Sequence, residues 1–183
     1  MSKVTVKSAR AVFANAAEKF AAMSAEAKVK LDAATTPEEQ KAHKDTMQEN
    51  ATHAKYCESI AKQSDEVIAL LIAQQVDCEA LANGSRELKK RAVFMLQALV
   101  SGRKVDDRAF DSVLLRLAAK RDSKLSIQQI QREMQHSTAT QANYFKTFCE
   151  FFKFATYSKS EKEVSFQYDS FFLAELVKVY SEK

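Results

Sequence analysis

Two glycines, one proline and no tryptophan in 183 residues set the first limits on this chain. Sheet proteins reverse direction often, and tight reversals draw on Gly, Asn-Gly or Pro for their backbone angles. Only Asn83-Gly84, Ser101-Gly102 and Thr36-Pro37 offer that chemistry. Few reversals imply few, long elements. The expected fold is all-α: a long antiparallel helical hairpin in the N-terminal half, packed on or extending from a smaller C-terminal helical bundle, with about six helices. Residues 1–84 would form the Ala-rich hairpin and residues 85–183 a basic and Phe-rich bundle, as two units or one continuous domain.

The same scarcity removes several function classes. Two glycines cannot build a GxxxxGK[ST] or GxGxxG phosphate loop. The apolar runs fall well short of the ~20 residues that span a bilayer, so no membrane partner is expected. The three cysteines, Cys57, Cys78 and Cys149, are odd in number and widely spaced. With no secretory apolar segment at the start, they point to free thiols in a reducing, cytoplasmic setting. Residues 1–17 carry Lys3, Lys7 and Arg10 and no acid, a composition shared by a mitochondrial transit peptide and by the basic start of a helix.

Charge is present but unevenly placed. The net value is +4. Residues 1–36 carry +3, residues 37–84 carry −5, residues 85–124 carry +6 and the remainder is neutral. The middle of the chain is therefore its electropositive part.

Helical periodicity runs through most of the sequence. Val6, Ala9, Phe13, Ala16, Phe20, Met23, Ala27 and Leu31 recur at three- and four-residue steps and predict a helix over about residues 5–33. Thr36-Pro37-Glu38-Glu39 is a capping box with proline at the first helical position. A second helix is expected from there to Ala82, with one break allowed at Ser64-Asp65-Glu66 and a left-handed glycine at Gly84 as its stop. Unbroken, it would be roughly 65–70 Å long. Shorter helices follow over 85–100 and 107–121. Ser126 with Gln129 starts another, preferred as one helix to about Tyr157, and Ser158 or Ser160 starts the last. Val164, Phe166 and Tyr168 also alternate with period two, which admits a short extended piece.

Catalytic and metal signals are weak. His43, His53 and His136 form no i, i+4 histidine pair, and His53 with Cys57 supplies two ligands where zinc needs four. Cys149 lies among Phe145, Phe148 and Phe152 and has no nearby base. No catalytic, cofactor or metal residue is nominated, and the chain is expected not to be an enzyme.

Two surfaces remain as candidates. Lys89, Lys90, Arg91, Arg103, Lys104, Arg108, Arg116, Lys120 and Arg121 could neutralise phosphates of nucleic acid or meet an acidic partner. Eight of the twelve Phe lie between Phe145 and Phe172, more than one helical face can hold over 148–154. Phe148, Phe151, Phe154 and Tyr157 are therefore candidates for a protein interface, with a C-terminal core as the alternative.

The segment LSIQQIQREMQHSTATQANYFK, Leu125 to Lys146, resembles a bacterial helix-turn-helix unit. The likeness rests on Leu125-Ser126, Ile130, Arg132-Glu133-Met134, Ser137, Ala139-Thr140 and Tyr144-Phe145. It covers 22 of the 183 residues. The segment departs from the pattern at Gln131, Gln135, His136 and Gln141, where such units carry Ala, Gly and aliphatics. The resemblance implies that Thr138, Thr140, Gln141 and Asn143 face the bases.

Taken together, the residues favour a non-enzymatic helical interaction module: a scaffold, assembly factor, adaptor or inhibitor that acts on another protein or on a second copy. Small helical chains of this kind are frequent in phages, satellites and other mobile elements. The alternative is a DNA- or RNA-binding accessory factor using the basic helices over 86–124.

Overall fold

The computed structural model describes residues 4–102, 124–133, 138–166, 174–175 and 178. Within them the chain is mainly helical, as expected, with one small antiparallel sheet. Two compact units are present: residues 1–72 with 77–93, and residues 73–76 with 94–183.

The first unit is built on a helical hairpin. α1 (Val6–Ala33) starts on Thr5, whose hydroxyl accepts from the Ser8 N–H while Ser8 answers at the Thr5 N–H. α2 (Pro37–Ala61) starts on the Thr36 capping box, with Glu39 returning the bond and Pro37 at the first position. Both starts match the expectation. Small side chains at Ala9, Ala16 and Ala27 are buried along α1, which lets the backbones approach. Ser24 donates to the Met47 carbonyl across the hairpin at 2.9 Å. The half nearer the helix ends is better covered. Phe13 is wholly buried, worth about 2–3 kcal/mol. Beyond Phe20 only Ala27 of α1 is buried, and before Cys57 only Asn50 of α2.

The expected second helix is broken twice. α2 ends at Ala61, and α3 (Asp65–Ala73) follows at the break allowed for. A second interruption at Gln74–Asp77 precedes α4 (Cys78–Asn83). Gln75 takes the left-handed conformation there, φ 55°, without being glycine. Gly84 does not take it: its φ is −68°, a correction to the sequence reading. Space favours glycine there, because a Cβ would stand 3.0 Å from the Ala80 carbonyl and from Leu88 Cδ2, closer than most Cβ contacts, so its neighbours would have to shift. α5 (Arg86–Ser101) begins on Ser85, which caps the Leu88 N–H, and its residues 86–93 belong to this unit.

In the second unit, β1 (Lys124–Ser126) leads into α6 (Ile127–Glu133), which starts on the Ser126–Gln129 capping box. α7 (Ala139–Phe151) is capped by Thr138 and is followed by β2 (Ala155–Ser158) and β3 (Glu163–Phe166). The single helix expected to Tyr157 is thus two helices and a strand, and the start of the final helix expected from Ser158 or Ser160 is a β-hairpin instead, whereas Ala174, Glu175 and Lys178 further on are helical. The extended piece at Val164 and Phe166 is β3. The strand order is β1-β3-β2, all antiparallel, with Leu125 opposite Val164 and Tyr157 opposite Val164 on the other side.

α7 ends in a two-bond cap. The Phe154 N–H reaches the Cys149 carbonyl at 2.7 Å and the Lys153 N–H reaches the Glu150 carbonyl at 3.0 Å, with Lys153 left-handed at φ 58°. This is the Schellman arrangement with lysine where glycine is usual. It turns the chain so that Phe148, Phe152 and Phe154 meet, with ring centroids 4.8–5.9 Å apart.

Candidate functional site

The aromatic cluster is resolved into core and edge. Phe145, Phe148, Phe152 and Phe154 are all buried, as are Leu125, Ile130, Ala142 and Val164 of the same unit. The expectation of a contact surface is therefore corrected at Phe148 and Phe154, whose rings fill the interior because α7 and β2 meet at the cap. Phe151 and Tyr157 are half-buried. Phe151 packs edge-on to Phe152 at 5.3 Å, and Lys146 Nζ lies 4.2 Å from the Tyr157 centroid.

The basic candidates are corrected too. Lys89 and Arg91 are buried, so neither can meet a phosphate. Lys90 is half-buried. Arg103, Lys104, Arg108, Arg116, Lys120 and Arg121 lie outside the described residues.

The segment resembling a helix-turn-helix does form two helices. α6 packs against α7, β1 against α6, and α7 against β2. Ile130 of α6, Ala142 and Phe145 of α7 and Leu125 of β1 are all buried. On the opposite side of α7, Thr140, Asn143, Tyr144 and Thr147 are exposed, as is the cap residue Thr138; Gln141 is half-buried. These include the positions that the resemblance assigns to bases. The β2–β3 turn adds exposed Lys159 and Lys162, and β1 adds exposed Lys124, which pairs with Glu161 at 3.2 Å. In sequence β1, α6, α7, β2 and β3 follow one another, and the sheet order β1-β3-β2 pairs the hairpin after α7 with the strand that precedes α6. Sequence reasoning misses the β2–β3 hairpin because its turn contains no glycine: Lys162 takes φ 56° in its place.

The first unit holds a second cluster that sequence reasoning does not assemble. Lys89 of α5 is fully buried. Its Nζ donates to the Ala82 carbonyl at 2.6 Å, sits 3.8 Å from Cys57 Sγ and lies 4.2 Å from the Phe20 centroid. The Cys57 thiol also points at the Ala82 carbonyl, at 3.6 Å. The His53 ring stacks on Phe20 with centroids 4.8 Å apart, and its Nδ1 is buried without a hydrogen-bond partner. Burial pushes the Lys89 ammonium below its ordinary pKa, an effect the thiol partly offsets. Burial pushes the Cys57 thiol up. Burial and then the Lys89 charge push His53 down. The available signal is phase. Lys89 falls three residues before Ala92 and seven before Leu96, on the buried side of α5, whereas Leu88, Phe94 and Leu99 are half-buried.

Among the described residues no three His, Cys, Asp or Glu converge to hold a metal ion, and no helix is long and apolar enough to cross a membrane. Comparison with known proteins finds no matching family model, no matching curated protein and no matching solved structure.

Proposed function

We propose that the second unit binds duplex DNA, with α7 laid in the major groove and the β2–β3 hairpin against the flanking backbone. One observation carries this reading: a β1-β3-β2 sheet and α6 hold α7 by its buried face and leave Thr140, Asn143 and Thr147 exposed in a row. Uncharged polar side chains in a row along an exposed helix face suit contacts with base edges. Lys124, Lys159 and Lys162 suit phosphates, which position the helix without reading sequence. The chain thus acts as a DNA-binding accessory factor, in a cytoplasmic setting that keeps its three thiols free.

The test is titration of the protein into labelled duplex DNA at several salt concentrations. Nonspecific affinity of about 10⁻⁴–10⁻⁶ M at physiological salt, falling steeply as salt rises, is expected. Selection from a random duplex pool should then enrich one site, and Thr140→Ala with Asn143→Ala should abolish the enrichment while leaving nonspecific binding. Absence of any binding at low salt rejects the reading.

A second reading, a protein-interaction module such as a scaffold, adaptor or inhibitor, draws support from the first unit. The outer half of the α1–α2 hairpin buries little and exposes Met23 and Val29. A helical arm of that kind suits contact with another protein or a second copy. Capture of no partner, and a monomer in sedimentation, would remove it.

A further inference from the structure

We propose that Cys57 and Lys89 are a modification pair: hydrogen peroxide joins them through a sulfur–nitrogen bond, a sulfenamide, that fastens α5 to α2. The inference is independent of DNA binding and rests on the buried cluster alone. Sγ and Nζ are 3.8 Å apart and both residues are wholly buried. The thiol and the amine also share one acceptor, the Ala82 carbonyl, which holds both in the same small space. Among the described residues no carboxylate pairs with Lys89. Burial lowers its pKa and so raises the share of free amine, the nucleophilic form, in exchange with the ammonium ion.

The chemistry balances with peroxide as the only added reagent. The Cys57 thiol attacks one peroxide oxygen. The O–O bond breaks, sulfur gives up two electrons and becomes a sulfenic acid, and one water leaves. A sulfenic acid condenses with a neighbouring thiol or nitrogen. Here the Nζ lone pair attacks sulfur and the S–O bond breaks. The departing hydroxide takes a proton from nitrogen, and a second water leaves. The product is lighter than the starting pair by two hydrogens, and a dithiol reverses it. Backbone nitrogens around Cys57 are engaged in α2, so the lysine is the free nucleophile at hand. Enclosure slows the entry of peroxide. It also makes the second step intramolecular, where effective concentrations reach about 10⁵ M or more, so condensation outruns further oxidation.

The experiment is peptide mapping of the full-length protein after long exposure to peroxide and alkylation of remaining thiols. Trypsin should no longer cut after Lys89. The peptide carrying Lys89 should appear joined to the Cys57 peptide, two hydrogens lighter than their sum, and dithiothreitol should separate them. In Lys89→Arg, whose guanidinium is a poor nucleophile, Cys57 should advance to the sulfinic acid with no link; if that variant does not fold, the map of the unaltered protein decides alone. The proposal is overturned by a Cys57–Cys78 disulfide, by sulfinic acid at Cys57 in the unaltered protein, or by a link one oxygen heavier. It is equally overturned if Cys57 stays intact at peroxide levels that oxidise the methionines.

Discussion

The ammonium group of Lys89 sits 4.2 Å from the centre of the Phe20 ring, and this contact ties α5 to α1 inside the first unit. A desolvated cation over an aromatic face is worth about 2 kcal/mol. The Ala82 carbonyl at the end of α4 adds a charge-assisted hydrogen bond. Replacement by alanine leaves a cavity and an Ala82 carbonyl with only the weak Cys57 thiol as donor. Lys89→Ala should therefore lower stability by about 2–4 kcal/mol in urea denaturation. Lys89→Met, which fills the space without a charge, should stay within about 1 kcal/mol of the parent, because removing a buried ion entirely also removes its desolvation penalty. Equal destabilisation in both variants would show that the cation matters more than the packing.

Acid should loosen the same region. Burial and Lys89 hold the His53 pKa below its ordinary 6.5, so the unfolded chain binds a proton that the folded one resists. Stability is then level above the unfolded value and falls as pH drops through 6.5 toward the depressed folded value. Glu39 and Glu66 are also depressed, below 4.5, and their contribution disappears only at lower pH. In His53→Phe, which keeps the stack on Phe20, the decline below pH 6.5 should flatten. Melting temperature against pH measures it; an unchanged slope would assign the decline to other groups.

Lys153 is a place where the protein can be made more stable. A left-handed conformation costs a residue with a Cβ roughly 1–2 kcal/mol. Lys153→Gly relieves that at the end of α7 and gives up only an exposed hydrogen bond to Gln75, 3.3 Å long. A gain of about 0.5–1 kcal/mol in denaturation measurements is expected. A decrease would mean that the lysine hydrogen bond outweighs the backbone.

Lys159 and Lys162 separate the two ends of the DNA reading. If they meet phosphates, Lys159→Gln with Lys162→Gln should weaken binding to all duplexes alike and reduce the salt slope by about 1 per lysine replaced. Sequence preference should survive, since it resides on α7. A variant that keeps its full slope would place the hairpin off the DNA.

The helix starts are legible in the sequence because Thr5, Thr36, Ser85 and Ser126 each act through three or four residues of local chemistry. The same local logic misjudges the turns. Scarcity of glycine suggests scarcity of reversals, yet Gln75, Lys153 and Lys162 carry left-handed angles in its stead. Tertiary packing compensates for that strain: Phe152 and Phe154 flank Lys153 and are both buried. Two helices, Ile127–Glu133 and Ala139–Phe151, stand where one was expected, with Thr138 capping the second; Gln135, where the pattern has glycine, lies outside the described residues. Lys89 is misplaced by sequence reasoning for a related cause, since charge suggests surface and only its spacing to Ala92 and Leu96 indicates otherwise.

The order of synthesis has a consequence for the small sheet. β3, made last, lies between β1 and β2, and its Val164 stands opposite Leu125, made almost forty residues earlier. On the ribosome both outer strands must wait for the one that joins them. A chain cut short after Ser158 would carry both helices and still lack the clasp, so any premature stop in that stretch should give a product that is cleared by proteases rather than one that keeps partial activity.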